Sequence, residues 1–146
     1  MNLEKAKIIV ASGPVIIENN KVLLNRHGTN KKAKKYWKFV GGRVSEIDKI
    51  DENTLENVCK REVMEEMGIN VEIIRPLKPM MINHPDKKDT IVILIHYLAK
   101  KIGEIKPGKD IEEYKWWEIN SLPKNLSPNI RPVIEEYINQ VNNLTM

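Results

Sequence analysis

The chain has 146 residues, 41% hydrophobic and 30% charged, a balance that fits one folded domain and excludes a mostly disordered chain. Lys and Arg (24) exceed Asp and Glu (20) by four, which favours anionic partners but is too little to establish nucleic-acid binding. A single cysteine, Cys59, excludes an internal disulfide framework and a cysteine-based zinc site, and the longest apolar run, Ile91 to Ile95, is far below the ~20 residues that span a membrane.

The charged stretch up to Lys7 does not resemble a secretory leader, so the expectation is a cytoplasmic protein with one domain over residues 1–146. Lys7 to Ile17 reads as a strand, interrupted by a bulge or bend at Gly13-Pro14. Asn19-Asn20 is a turn signal, and Lys21 to Arg26 returns as the second arm of a hairpin. His27 to Lys35 is a lysine-rich loop. Tyr36 to Val40 is a short aromatic strand that stops at Gly41-Gly42, and a polar stretch follows to Asn53.

Thr54 to Met67 is a helix, with Asn53 or Thr54 to cap its first N–H groups and Gly68 as a left-handed stop. Ile69 to Leu77 is β-like, Thr90 to Lys100 is the strongest strand, and Ile111 to Ile119 is the last. Pro132 opens a C-terminal helix that turns Val133, Ile134, Tyr137, Ile138 and Val141 inward, for packing or a homodimer interface. Strands, a helix, more strands and a helix make an α/β (α+β) protein with a mixed sheet.

The first helix carries an anomaly. At about 100° per residue, Leu55, Val58, Cys59, Val63 and Met67 form its apolar face, yet Glu62 and Glu66 project inside that sector, with Glu65 at its edge beside Arg61. Unpaired buried carboxylates are costly. Two readings stay open: a solvated acidic stripe paired with Lys60 and Arg61, or a site where a hard cation relieves the repulsion.

Gly41-Gly42 followed by Arg61-Glu62-Val63-Met64-Glu65-Glu66-Met67-Gly68-Ile69 resembles the Nudix box. That pattern is a Gly, five residues, a Glu, seven residues, then Arg-Glu-aliphatic-x-Glu-Glu-x-Gly-aliphatic, and its second half matches at every specified position. The flanks Tyr36-Trp37-Lys38-Phe39-Val40 and Lys115-Trp116-Trp117-Glu118, with Leu122-Pro123, also look like those of the family. The first half departs. Gly42 to Arg61 is 19 positions, about five more than the pattern, and the Glu counted back from Arg61 falls on Asn53, beside Asp51 and Glu52. Val40 replaces the usual Pro.

The resemblance implies an α/β/α sandwich and a hydrolase that cleaves the pyrophosphate of a nucleoside diphosphate linked to another moiety, such as ADP-ribose, or of an oxidised nucleoside triphosphate. It implies Mg²⁺ or Mn²⁺ on Glu62, Glu65 and Glu66, with a carbonyl of Gly41 or Gly42, and Arg61 orienting the carboxylates. The general base is a box Glu or a later one, with Glu113 and Glu112 ranked above Asp110 and an exposed acidic patch as the plainer reading.

Arg26, Arg43, Lys35 and His84 are candidate substrate contacts, and Trp37 could stack a base or sit in the core. Lys31, Lys32, Lys34 and Lys35 suit an RNA 5′-pyrophosphate or cap as an alternative substrate, although a solvated loop is the simpler account. A Nudix-fold binding module without catalysis is the rival from another class. An isoprenoid diphosphate isomerase is weaker, because Cys59 falls on the core face and would be no nucleophile.

Overall fold

The computed structural model describes residues 2–27 and 36–144. Lys31, Lys32, Lys34 and Lys35 lie outside the described residues. In chain order the elements are β1 (Lys7–Glu18), β2 (Lys21–His27), β3 (Lys38–Phe39), β4 (Gly42–Arg43), α1 (Thr54–Met67), β5 (Asn70–Pro76), β6 (Met80–Asn83), β7 (Thr90–Ile102), β8 (Ile111–Glu118) and α2 (Ile130–Leu144). Among the described residues no helix is long and apolar enough to cross a membrane.

The strands join in one mixed sheet of order β3-β2-β1-β7-β5, with β4 on β1, β6 on β7 and β8 on β2. Period-two alternation lets its central strands bury both faces. Val15, Val22, Leu24 and Leu98 pack with Ile130, Val133 and Ile134 of α2. Ile16, Leu23 and Ala99 pack with Val63 and Met67 of α1. The result is the α/β/α sandwich expected from the resemblance. Tyr137 and Ile138 also pack inward, as the C-terminal pattern predicts.

Asn19 and Asn20 adopt left-handed conformations (φ 50° and 65°) and make the expected hairpin between β1 and β2. The interruption expected at Gly13-Pro14 is absent. β1 runs parallel to β7 in unbroken register from Lys7↔Thr90 to Ile16↔Ala99. On its other edge β1 pairs with β4 at Ala11 and Ser12, then with β2 at Ile17 and Glu18, so Pro14, which has no N–H, falls between the two partners. Gly13 answers to a close crossing instead: a Cβ there would lie 2.1 Å from the Val40 carbonyl oxygen and 2.8 Å from Gly41 Cα.

Two further expectations change. The aromatic strand over Tyr36–Val40 shrinks to β3, while Trp37 makes one bridge to Leu126 and exchanges backbone hydrogen bonds with Asn125 and Ser127. β6 was not expected. It pairs with β7 from Met80↔Leu94 to Asn83↔Ile91, so β7 holds β1 along one edge and β5 and β6 in succession along the other.

Gly13→Ala should lower stability by about 1–3 kcal/mol, the usual cost of an overpacked site, because the neighbour that must give way is backbone. Urea denaturation measures this, and an unchanged midpoint would remove the crossing as a constraint.

Candidate active site

The start of α1 is not held by a capping Asn53, which makes no side-chain cap bond. The buried Thr54 acts instead on the preceding loop. Its hydroxyl accepts the Asp51 N–H and donates to the Lys49 carbonyl, both at 2.7 Å. The helix ends as predicted at Gly68 (φ 66°), whose N–H donates to the Met64 carbonyl.

Between these ends the helix presents the anomalous carboxylates as the sequence places them. Glu66 is only 7% exposed, Glu62 is half-buried and Glu65 is exposed. Arg61 gathers the charges. Its Nη1 lies 2.8 Å from Glu62 Oε1 and 3.2 Å from Glu65 Oε1, and its Nε and Nη2 grip both oxygens of Asp48 at 2.9 and 2.8 Å. That fork holds the Asp48 carboxyl below the usual carboxylate range, and the same pairing raises Arg61 further. Glu62 moves the opposite way: burial raises its pKa, and Glu65 and Glu66 add to this against the pull of Arg61.

Glu66 is held by different groups. Its Oε1 accepts the Gly41 N–H at 2.9 Å, and its Oε2 accepts Asn25 Nδ2 at 3.0 Å and sits 2.9 Å from His27 Nε2. Gly42 abuts Glu62 so closely that a Cβ would lie 2.2 Å from Glu62 Oε2. Gly41, at φ 147° with its Cβ position filled by Gly13 Cα, has no room for a side chain.

The same two glycines line a cavity of about 370 Å³ on the α2 side of the sheet. Ile9, Ala11, Phe39, Val92 and Leu94 give it apolar walls, while His27, Arg43, His84 and Asn129 add polar edges. His84 Nδ1 accepts the Asp86 and Lys87 N–H groups, and burial, with Lys87 and Lys38 nearby, lowers its pKa. Burial lowers the pKa of His96 as well. Its Nε2 accepts from Asn129 Nδ2 at 2.9 Å and its Nδ1 faces the Lys78 carbonyl at 2.9 Å, while the Ser127 hydroxyl donates to Asn129 Oδ1 at 2.7 Å. This buried chain fixes which way the Asn129 amide points.

A NUDIX domain model matches residues 8–137. The chain belongs to the Nudix family. It is 27% identical over 129 residues to an ADP-ribose pyrophosphatase of Methanocaldococcus jannaschii, covering 88% of this chain and 72% of that protein. It is 25% identical over 111 residues to an 8-oxo-dGTP diphosphatase of Proteus vulgaris, covering 73% of this chain and 95% of that one. Its fold is that of the MutT protein from Methanosarcina mazei Go1, with a TM-score of 0.77 at 20% identity over 94% and 97% of the two chains.

In this Nudix hydrolase the first acidic position of the box is Asp48, not Asn53. Counted forward from Gly42, five residues intervene before Asp48, as the pattern asks, and the extra residues all follow it. The fork between Asp48 and Arg61 is the physical sign of that assignment, and forward counting would have found it in the sequence.

Three further expectations are corrected. Trp37 is core, 5% exposed, edge-on to Trp117, with the Arg26 guanidinium 4.6 Å above its ring, so it has no free face for a base. Arg26 is thereby taken away from phosphate, and its other partner is Glu113, directly opposite it on β8. That pair lies on the α2 face of the sheet, whereas Asn25 and His27, one residue to either side, reach Glu66 on the α1 face. Glu113 is therefore not brought to the box carboxylates. Glu112, the next residue along β8, is exposed. Arg43 and His84 do border the cavity, Lys35 lies outside the described residues, and Cys59 is buried with its thiol pushed up to about 12, which leaves it no nucleophile.

A depressed carboxyl pKa adds stability above its unfolded value and loses it as pH falls through the folded one. Asp48→Asn should therefore lower Tm at pH 7, and its deficit should shrink as pH falls below about 4. A deficit independent of pH, in thermal melts across that range, would mean that Asp48 acts by packing rather than charge.

Proposed function

We propose that the chain is a divalent-cation-dependent diphosphatase acting on a nucleoside diphosphate linked to another moiety, a nucleotide sugar such as ADP-ribose or an oxidised nucleoside triphosphate. The observation that carries this reading is the meeting of two features at Gly41-Gly42. Box carboxylates touch these residues from one side, and a cavity sized for a nucleoside opens from the other.

Glu62, Glu65 and Glu66, with a carbonyl of Gly41 or Gly42, are the hard oxygen donors that suit Mg²⁺ or Mn²⁺. Among the described residues no three acidic, His or Cys side chains yet converge on one point, because Arg61 and the donors around Glu66 hold the carboxylate oxygens. Loading therefore re-aims side chains that are already in place. A cation bound there supplies charge to offset the diphosphate and to acidify a water.

The chain's own groups do the rest. Arg43, at the cavity rim with its carbonyl accepting from Arg61, stands where a phosphate would leave the carboxylates. The apolar walls accept the flat faces of a base, and Asn129 retains one N–H and one lone pair for its edge. With Glu113 paired to Arg26, the box carboxylates, Glu112 and Asp110 are the remaining candidates to take the proton of the attacking water. A chain whose single thiol is buried also suits a cytoplasmic setting.

Glu66→Gln should reduce Mg²⁺-dependent phosphate release at least about 100-fold, more than removing a group that only supports a ligand. Glu113→Gln should retain turnover while lowering Tm. Equal loss in both would return Glu113 to the chemistry.

A panel of ADP-ribose, other nucleotide sugars, oxidised triphosphates and capped RNAs, scored by products, tests the substrate class. Release from small nucleotides is expected. Turnover confined to RNA and steeply salt-dependent would replace this reading with the RNA one.

A further inference from the structure

Asn25 is wholly buried, 0% exposed, on a strand where the alternating pattern calls for an apolar residue. Its Nδ2 donates to Glu66 Oε2 at 3.0 Å, and its Oδ1 has no hydrogen-bond partner. A buried carbonyl oxygen without a partner is rare and unfavourable. The donor half of the amide is also partly redundant. His27 Nε2 reaches the same Glu66 oxygen at 2.9 Å and the Gly41 N–H holds the other, so Glu66 stays anchored if Asn25 lets go.

Resting on the cation site proposed above, we infer that Asn25 is a metal ligand of this chain. Its carboxamide turns over on loading and presents Oδ1 to the cation held by Glu66. A half-turn of a carboxamide exchanges its nitrogen and oxygen at nearly the same points. It sets Oδ1 beside Glu66 Oε2 at the separation Nδ2 now has, 3.0 Å. Two oxygens that close repel in the absence of a cation. Around one they are at home: octahedral ligands about 2.1 Å from Mg²⁺ stand about 3.0 Å from one another. The orphaned oxygen and the redundant donor are then one device. In the unloaded state the amide donates to the carboxylate, and in the loaded state it replaces that bond with a neutral oxygen ligand that adds no charge to the three glutamates.

The test is Mn²⁺ affinity, read by the electron-paramagnetic-resonance signal of free Mn²⁺, with no substrate present. Asn25→Leu removes the oxygen at similar volume and should weaken binding about tenfold or more. Asn25→Asp keeps an oxygen but loses the donor. It should bind Mn²⁺ at least as tightly as the wild type, with a lower Tm in chelator and a larger rise in Tm on adding Mn²⁺. If Asn25→Leu does not fold, Asn25→Ala carries the same loss.

Weak binding in Asn25→Asp as well as Asn25→Leu would show that only the N–H matters and overturn the inference, as would unchanged affinity in Asn25→Leu. A wild-type chain that takes up no Mn²⁺ would overturn it together with the cation site. A wild-type chain that binds Mn²⁺ but cleaves no nucleotide would sink the proposed function alone and leave the Asn25 measurement standing.

Discussion

Carboxylates one helical turn apart repel, and the C-terminal half of α1 brings Glu62, Glu65 and Glu66 together, with Glu62 and Glu66 turned toward the protein. The site depends on how that repulsion is met. Arg61 spans Glu62, Glu65 and Asp48 with one planar cation, and its remaining reach goes to the Arg43 carbonyl. Lysine, a point charge without the fork, could not hold the four groups together. Glu66 lies beyond that grip and is met by donors from β2 and the Gly41 backbone. Helix, sheet and glycine turn are thus tied through one set of acids.

The glycines make this geometry attainable. Gly13 and Gly41 let two backbones cross at near-contact, which sets the Gly41 N–H against Glu66 and Gly42 against Glu62. The crossing also divides the space. Carboxylates lie on the α1 face and the cavity on the α2 face, and His27 reaches both, lining the cavity and contacting Glu66.

Much of this was legible in the residues because it is local. The bounds of α1 and the inward turn of Glu62 and Glu66 follow from helical periodicity, and the Gly68 stop from capping chemistry, and these agree with the structure, whereas the expected cap by Asn53 or Thr54 does not form. What was missed depends on partners distant in the chain. β6 is a strand only because β7 offers it an edge. Asn25 and His27 look like ordinary polar residues near a strand end until Glu66 is placed opposite them. Asn129 and His96 acquire meaning only as a pair 33 positions apart. Arg26 and Glu113 needed the β2–β8 register, which sets them face to face and away from the carboxylates.

The stretch between Asp48 and Arg61 has a consequence for how such motifs are recognised. It holds twelve residues, 49–60, where the box pattern has seven, yet both ends meet in one ion pair. Seven of the twelve, 54–60, are already in α1, so the chain that must close is the short stretch 49–53, and lengthening a loop by a few residues costs little chain entropy. Spacing is thus a weak physical constraint here, and the complementarity of the two ends is a strong one. A search that fixes the distance will pass over chains of this kind, whereas one that fixes the paired charges and lets the span vary will find them.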